Sequence, residues 1–164
     1  MAATLTFDTG LRTYEVNGGE TISFNPTDTG FIERFMSTIE RLRETWDEFE
    51  KGMAEHTGAV EAALDSEGDV GEASHGLTAF VRSHSDRMRG EFDALLGPGT
   101  AAKLFPGDMS LCSLAGGWPV WVNAVEALSV LITDELDAEG GRTDARASAY
   151  SERYEQMMRK YRRR

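Results

Sequence analysis

The sequence predicts a mainly α fold: a single helical domain of about four to six helices with a small N-terminal β-hairpin or sheet. Three observations carry this expectation. Apolar residues recur at steps of three and four through Phe31, Phe35, Ile39, Leu42, Trp46, Phe49 and Met53, one stripe of a long amphipathic helix. A second series runs through Leu77, Phe80, Val81, His84, Met88, Phe92 and Leu95. The first 24 residues instead show short alternating or β-branched runs broken by turn residues. At 164 residues and 40% hydrophobic content, the chain is long enough to bury one core.

Each element has its own signal. Thr4–Phe7 and Thr13–Val16 read as strands split by Asp8-Thr9-Gly10, and Asn17-Gly18-Gly19 turns the chain into a further strand, Thr21–Phe24. Strands this short must pack on helices or pair with another chain. Asn25-Pro26-Thr27-Asp28 is a helix start, and the helix that follows runs on through Val60 to Leu64, with Gly52 and Gly58 loosening its second half. Asp65–Glu72 reads as an acidic, glycine-bearing linker before a helix from Leu77 to Leu96. Gly97-Pro98-Gly99 stops that helix, glycine supplying a left-handed cap. A short helix, Thr100–Leu104, and a turn at Pro106-Gly107-Asp108 follow.

Gly116-Gly117 precedes a helix from about Trp118 to Ala138, with Pro119 in its first turn. Trp121, Val125, Leu128, Ile132 and Leu136 give it a wide apolar face, so it is the candidate central helix. Glu139-Gly140-Gly141 breaks it, and Asp144 caps a last helix with Tyr150, Tyr154, Met157 and Tyr161 on one face. The chain thus divides into a β segment (1–24), a helical body (25–141) and a basic C-terminal helix (142–164).

Charge is distributed unevenly along this plan. From Arg142 onward eight Lys/Arg face three acids, a net +5, whereas the preceding 141 residues hold nine bases against 25 acids, a net −16. Such a field steers association rather than deciding a fold. The acidic body argues against nonspecific nucleic-acid binding, since phosphate attraction needs a positive face. The longest apolar stretch, around Trp118 to Leu136, is interrupted by Asn123, Glu126 and Ser129 and is too polar for a bilayer span. The first 16 residues have no basic or apolar signal-peptide region. One cysteine, Cys112, excludes an intrachain disulfide and fits a reducing compartment.

No constellation for catalysis or metal binding emerges. His56, His75, His84 and Cys112 form no ligand-spaced pair, and His84 reads as a core-edge residue with one satisfied hydrogen bond. Nothing near Cys112 would depress its pKa. In the acidic linker a calcium loop starting at Asp65 would put Val70 at position six and Gly76 at position twelve, so the register fails. Gly97-Pro98-Gly99-Thr100 could seat an anion on helix N–H groups, but it lacks the Lys-Ser/Thr of a phosphate loop and reads as a helix corner. The basic end, Met157–Arg164, admits three readings: a complement to the helix dipole, a nucleic-acid tail, or a docking helix for acidic surface on another copy or a partner. The docking reading is preferred, because the chain itself supplies acidic surface. On this pattern the candidate partner contacts are Trp46, Trp118, Trp121, Tyr154, Tyr161, Arg159, Lys160, Arg162 and Arg163.

Two stretches carry a family likeness. Residues 20–35, ETISFNPTDTGFIERF, resemble the strand-to-helix entry of small proteins encoded beside the tail genes of long-tailed phages. Residues 91–105, EFDALLGPGTAAKLF, resemble their middle signature, here Phe92, Asp93, Leu96, Gly97, Gly99 and Phe105, followed by a helix carrying Asn123. A tyrosine-bearing helix with a basic end, Tyr150 to Arg164, completes the pattern, while the tryptophan-rich Gly116–Trp121 departs from it. The chain in this respect resembles the siphophage tail assembly chaperone family. The resemblance implies a non-enzymatic role in the host bacterial cytoplasm, without cofactor. The expected client is the long, helical tape measure protein, kept soluble and extended while tail tube subunits polymerise around it. It further implies self-association and absence from the mature virion. The alternative from another class is a nucleic-acid-associated phage or bacterial regulator using the C-terminal arginines.

Overall fold

Helix entry at residue 29 follows directly from local chemistry. Asp28 adopts an extended backbone and its carboxylate accepts the Phe31 N–H at 2.8 Å, satisfying an amide that the first turn leaves unpaired. The computed structural model describes residues 1–66, 69–139 and 144–161, the side chain of Asp144 excepted. Within them, strands β1 (Arg12–Glu15) and β2 (Thr21–Phe24) form an antiparallel hairpin in which Arg12 lies opposite Phe24 and Glu15 opposite Thr21. Five helices follow: α1 (Thr29–Asp65), α2 (Val70–Leu96), α3 (Thr100–Leu104), α4 (Val120–Ala138) and α5 (Asp144–Met158), the last running into a 3₁₀ turn at Arg159–Tyr161. The protein is therefore mainly α with a small N-terminal sheet, as its periodicities predict. No helix among the described residues is long and apolar enough to cross a membrane.

Helices α1 and α2 form an antiparallel hairpin, whose register is plain from its cross-contacts. Arg41 meets Glu91 at 2.6 Å, Glu48 meets Arg87 at 2.6 Å, and the Phe49 and Phe80 rings stack at 5.7 Å. Gly52 lies under Phe80, where an added Cβ would come within 2.2 Å of the ring. Glycine there permits close approach; α1 continues unbroken through both Gly52 and Gly58 rather than loosening. The linker is also shorter than expected. Asp69 accepts the Glu72 N–H at 3.0 Å, so α2 starts at Val70, well before Leu77. Glu67 and Gly68 of the expected linker lie outside the described residues.

The corner after α2 is built from one carboxylate. Asp93 Oδ1 accepts the Ala101 N–H at 2.7 Å, so the side chain of one helix caps the next. The left-handed residue is Gly99 (φ 82, ψ −6), not Gly97, which takes φ 110 and ψ 153. Beyond it, Leu114–Ala115 (β3) and Trp118–Pro119 (β4) make a second, minute hairpin that the periodicity does not anticipate. Gly116 and Gly117 both have positive φ, as a two-residue hairpin turn demands. Pro119 consequently ends a strand and immediately precedes α4 instead of sitting in its first turn.

The core gathers Phe35, Met36, Ile39 and Leu42 of α1 with Met88 and Phe92 of α2 and Trp121, Val125, Ile132 and Leu136 of α4, none of them more than 1% exposed. Two residues of the N-terminal sheet, Ile22 and Phe24, close one side. The remaining strand expectation fails: Thr4–Phe7 lies outside any strand, although the outer edge of β1 carries no partner among the described residues. Replacing Asp93 by Ala removes the cap on α3, and urea unfolding should show a loss of about 1 kcal/mol at unchanged m-value.

Candidate interaction surfaces

The basic C-terminal helix does dock on an acidic surface, and that surface is its own. Arg153 bonds both carboxylate oxygens of Glu33, at 3.0 and 3.1 Å, and Lys160 meets Asp47 at 3.1 Å. Arg146 donates to the Thr27 carbonyl. All three contacts reach the N-terminal half of α1 or its entry, aligning α5 along it. The pairs are substantially exposed, with Lys160 at 58% and Asp47 at 49% side-chain accessibility, so each is worth no more than about 1 kcal/mol. Packing supplies the rest: Tyr150, Tyr154, Met157, Met158 and Tyr161 are all buried.

This arrangement corrects several expected partner contacts. Trp121 is wholly buried, and Tyr154 and Tyr161 are 3% and 5% exposed, so their apolar rings serve the core rather than an external surface. Tyr154 stacks on Phe35 with centroids 6.5 Å apart, and Trp121 meets Tyr161 edge-on at 5.1 Å. Trp46 and Trp118 are half-buried; Trp46 packs on Phe49 and Trp121, at 5.1 and 6.3 Å. Arg159 is exposed, Lys160 is engaged as described, and Arg162 and Arg163 lie outside the described residues. The expected capping role of Asp144 concerns a side chain that is likewise not described.

The titratable groups weighed in the sequence are absorbed by structure. His84 is buried and bonds the Phe80 carbonyl through Nδ1 at 2.9 Å, between the rings of Phe49 and Phe80. Burial pushes the Cys112 thiol up to about 12, leaving it protonated and inert at neutral pH. Burial also raises the Tyr161 phenol, against a smaller opposing effect of Arg43. The anion seat imagined at Gly97–Thr100 is taken by the carboxylate of Asp93. Among the described residues no three His, Cys, Asp or Glu side chains gather to hold a metal.

Among the described residues several grooves remain open, and Met109 lies on two of them. The larger, about 650 Å³, runs between the outer face of α2 (Leu77, Val81, Ser85) and the 107–110 loop, with Arg82, Asp86 and Arg89 along it. Its far wall is fixed by Arg89, whose guanidinium donates to the carbonyls of Phe105, Gly107 and Met109 at 2.9, 3.3 and 2.5 Å. The smaller groove, about 300 Å³, lies between β1 and α4 and is mostly apolar. Met109, 41% exposed, lines both grooves. Toward its tip the α1–α2 hairpin runs out of core: no residue between Glu50 and Ser83 is fully buried among those described, Met53, Phe80 and Val81 are the last to pack against the core, and Leu64 is 62% exposed. Neither the grooves nor the coreless hairpin follow from periodicity, since an apolar stripe does not reveal where its partner helix stops.

Comparison with protein-family models, curated proteins and solved structures finds no match to this chain.

Truncating Tyr154 to Ala should cost about 3–5 kcal/mol in chemical denaturation, whereas Lys160→Glu should cost less than about 1 kcal/mol. Cys112 and Tyr161 are acids held neutral, with folded pKa values above the unfolded ones. Their contribution to stability is complete below the ordinary values of 9.0 and 10.0, and is lost as pH rises past them. Unfolding midpoints measured across alkaline pH should accordingly fall above about pH 9, with thiol labelling of Cys112 appearing only as the protein unfolds.

Proposed function

We propose that this chain is a tail assembly chaperone of a long-tailed phage, a non-enzymatic protein that binds and solubilises the tape measure protein during tail morphogenesis. The observation that carries the reading is the coreless half of the α1–α2 hairpin, together with the groove beside α2. A helical client needs an apolar strip along which to lie, and Leu77, Val81 and Met109 supply one that is half-open. Charged rims at Arg82 and Asp86 leave such a site tolerant of sequence, since apolar contact carries the affinity and no fixed polar partner is demanded.

Further support comes from the stretches that carry the resemblance. ETISFNPTDTGFIERF runs from β2 into α1 through the Asp28 cap, and EFDALLGPGTAAKLF is the Asp93 corner. Net charge of −11 keeps a coated complex soluble. With His84 and Cys112 committed to the interior, the chemistry of the reading is recognition alone. In this role the protein acts in the host cytoplasm and leaves before the virion is complete. The nucleic-acid alternative gains no support from Arg153 of α5 or Lys160 of the 3₁₀ turn, which are engaged with α1, while residues 162–164 lie outside the described residues.

Co-expression with the tape measure protein encoded beside it tests the reading. Soluble client should rise severalfold with the intact chaperone and fall back with Leu77→Glu/Met109→Glu, a variant whose changes line the groove and lie outside the buried core. A client equally insoluble with and without this protein would overturn it, and salt-sensitive DNA or RNA binding lost on deleting 159–164 would favour the regulator instead.

A further inference from the structure

We infer that residues 4–7 of one protomer add as a third strand to the open edge of β1 in a second protomer. Leu5 and Phe7 then fill the groove between β1 and α4. The inference concerns self-association and stands whether or not the client is a tape measure protein.

The donor segment is Thr4-Leu5-Thr6-Phe7, which alternates polar and apolar residues at strand period. It has no strand partner, and its apolar side chains are bare: Leu5 is 84% and Phe7 69% exposed. Adjacent large apolar residues left in water mark an interaction site rather than ordinary surface.

The acceptor is equally incomplete. Among the described residues β1 pairs only with β2, so its other edge carries no strand. The Val16 N–H donates to the Glu20 carbonyl at 2.7 Å, which sets the alternation of the ladder. Arg12 and Tyr14 thus direct their backbone groups toward β2, while Thr13 and Glu15 direct theirs outward. An incoming strand would bond these two residues. Its apolar side chains would fall on the Tyr14 and Val16 face, over Ala124, Ala127 and Leu131 of α4. Strand addition of this kind joins backbone affinity to side-chain pockets.

The occupant comes from another copy because, within one chain, none of residues 4–7 lines the groove and Leu5 and Phe7 stay bare. Asp8 Oδ1 accepts the Gly10 N–H at 2.8 Å, and Asn25 Nδ2 donates to the Thr9 carbonyl at 2.8 Å. Gly10 takes φ 81, so the backbone leaves the extended line of β1 there, and Arg12 holds the Asp8 carboxylate at 3.2 Å. These contacts fix the root of the arm at the Arg12 end, whereas the groove opens beside Tyr14–Asn17. Reciprocal exchange of two arms seats two Leu and two Phe side chains, each Phe burying about 150–250 Å². With the backbone and groove walls included, the total reaches the ~1,000 Å² expected of a specific interface.

Sedimentation and light scattering of the full chain provide the test. Wild type at micromolar concentration should have twice the 18.1 kDa mass of one chain. Leu5→Asp/Phe7→Asp, altered only in the bare arm, and Ala127→Arg, altered only in the groove, should each be monomeric with unchanged circular dichroism. Phe7→Cys/Ala127→Cys should oxidise to a covalent dimer when two differently tagged copies are mixed. A monomeric wild type, an assembly that persists in both charge variants, or a disulfide formed within one chain would each overturn the inference. Client solubility is a separate readout, so failure here leaves the chaperone reading standing.

Discussion

A column of aromatic rings holds this fold in register. Tyr14 of β1 packs on Phe24 of β2 at 4.9 Å, Phe24 on Phe31 at 5.0 Å, Phe31 on Phe35 at 6.4 Å, Phe35 on Tyr154 at 6.5 Å, and Tyr154 on Tyr150 at 6.0 Å. The N-terminal hairpin and the start of α1 thus meet α5, more than a hundred residues later, through one chain of ring contacts. Each such pair contributes about 0.5–1.5 kcal/mol beyond the area it buries. The column sets where the N-terminal hairpin sits on α1 and how α5 crosses the other side. Tyr150 extends this end of the fold into α4 through a 2.8 Å hydrogen bond between its hydroxyl and that of Ser129.

Once the rings fix α5, its charges have little choice of partner. Arg153 and Lys160 fall opposite Glu33 and Asp47, on the acidic side of α1. Among the described residues, part of the basic excess late in the sequence is thus paired within the molecule, by weak exposed contacts beside an apolar attachment. Like charges at these positions would oppose the same packing. The remaining acids stay on the surface, and they give the body its solubility.

Much of the fold was legible because helical periodicity is a direct record of one buried face. The series from Phe31 to Met53, the Thr100–Leu104 helix and the tyrosine face of α5 all lie where spacing puts them. The misreadings share a cause: each depends on something spacing does not encode. Thr4–Phe7 has strand composition but forms no ladder with any described strand. Gly116-Gly117 is a hairpin turn, and the flanking strands are only two residues each, too short to alternate. Trp121 and Tyr161 read as partner contacts because aromatic residues suit interfaces and interiors alike, and only the position of α5 and the 3₁₀ turn after it decides between them. The role of Asp93 was visible merely as part of a signature; that its carboxylate caps a helix eight residues later is tertiary geometry.

The coreless half of the α1–α2 hairpin separates the molecule into two tiers. Below Phe49 and His84 each helix is tied to several others, and opening it means unfolding the whole. Above them each turn touches mainly the turn beside it, so its free energy is local and roughly additive, as in a short stack of repeats. From Met53 to Asp65 this upper tier spans about 20 Å at 1.5 Å per residue. Its reach is therefore a quantity that evolution can lengthen or shorten by matched helical turns, one from each strand of the hairpin, while the lower tier keeps its sequence.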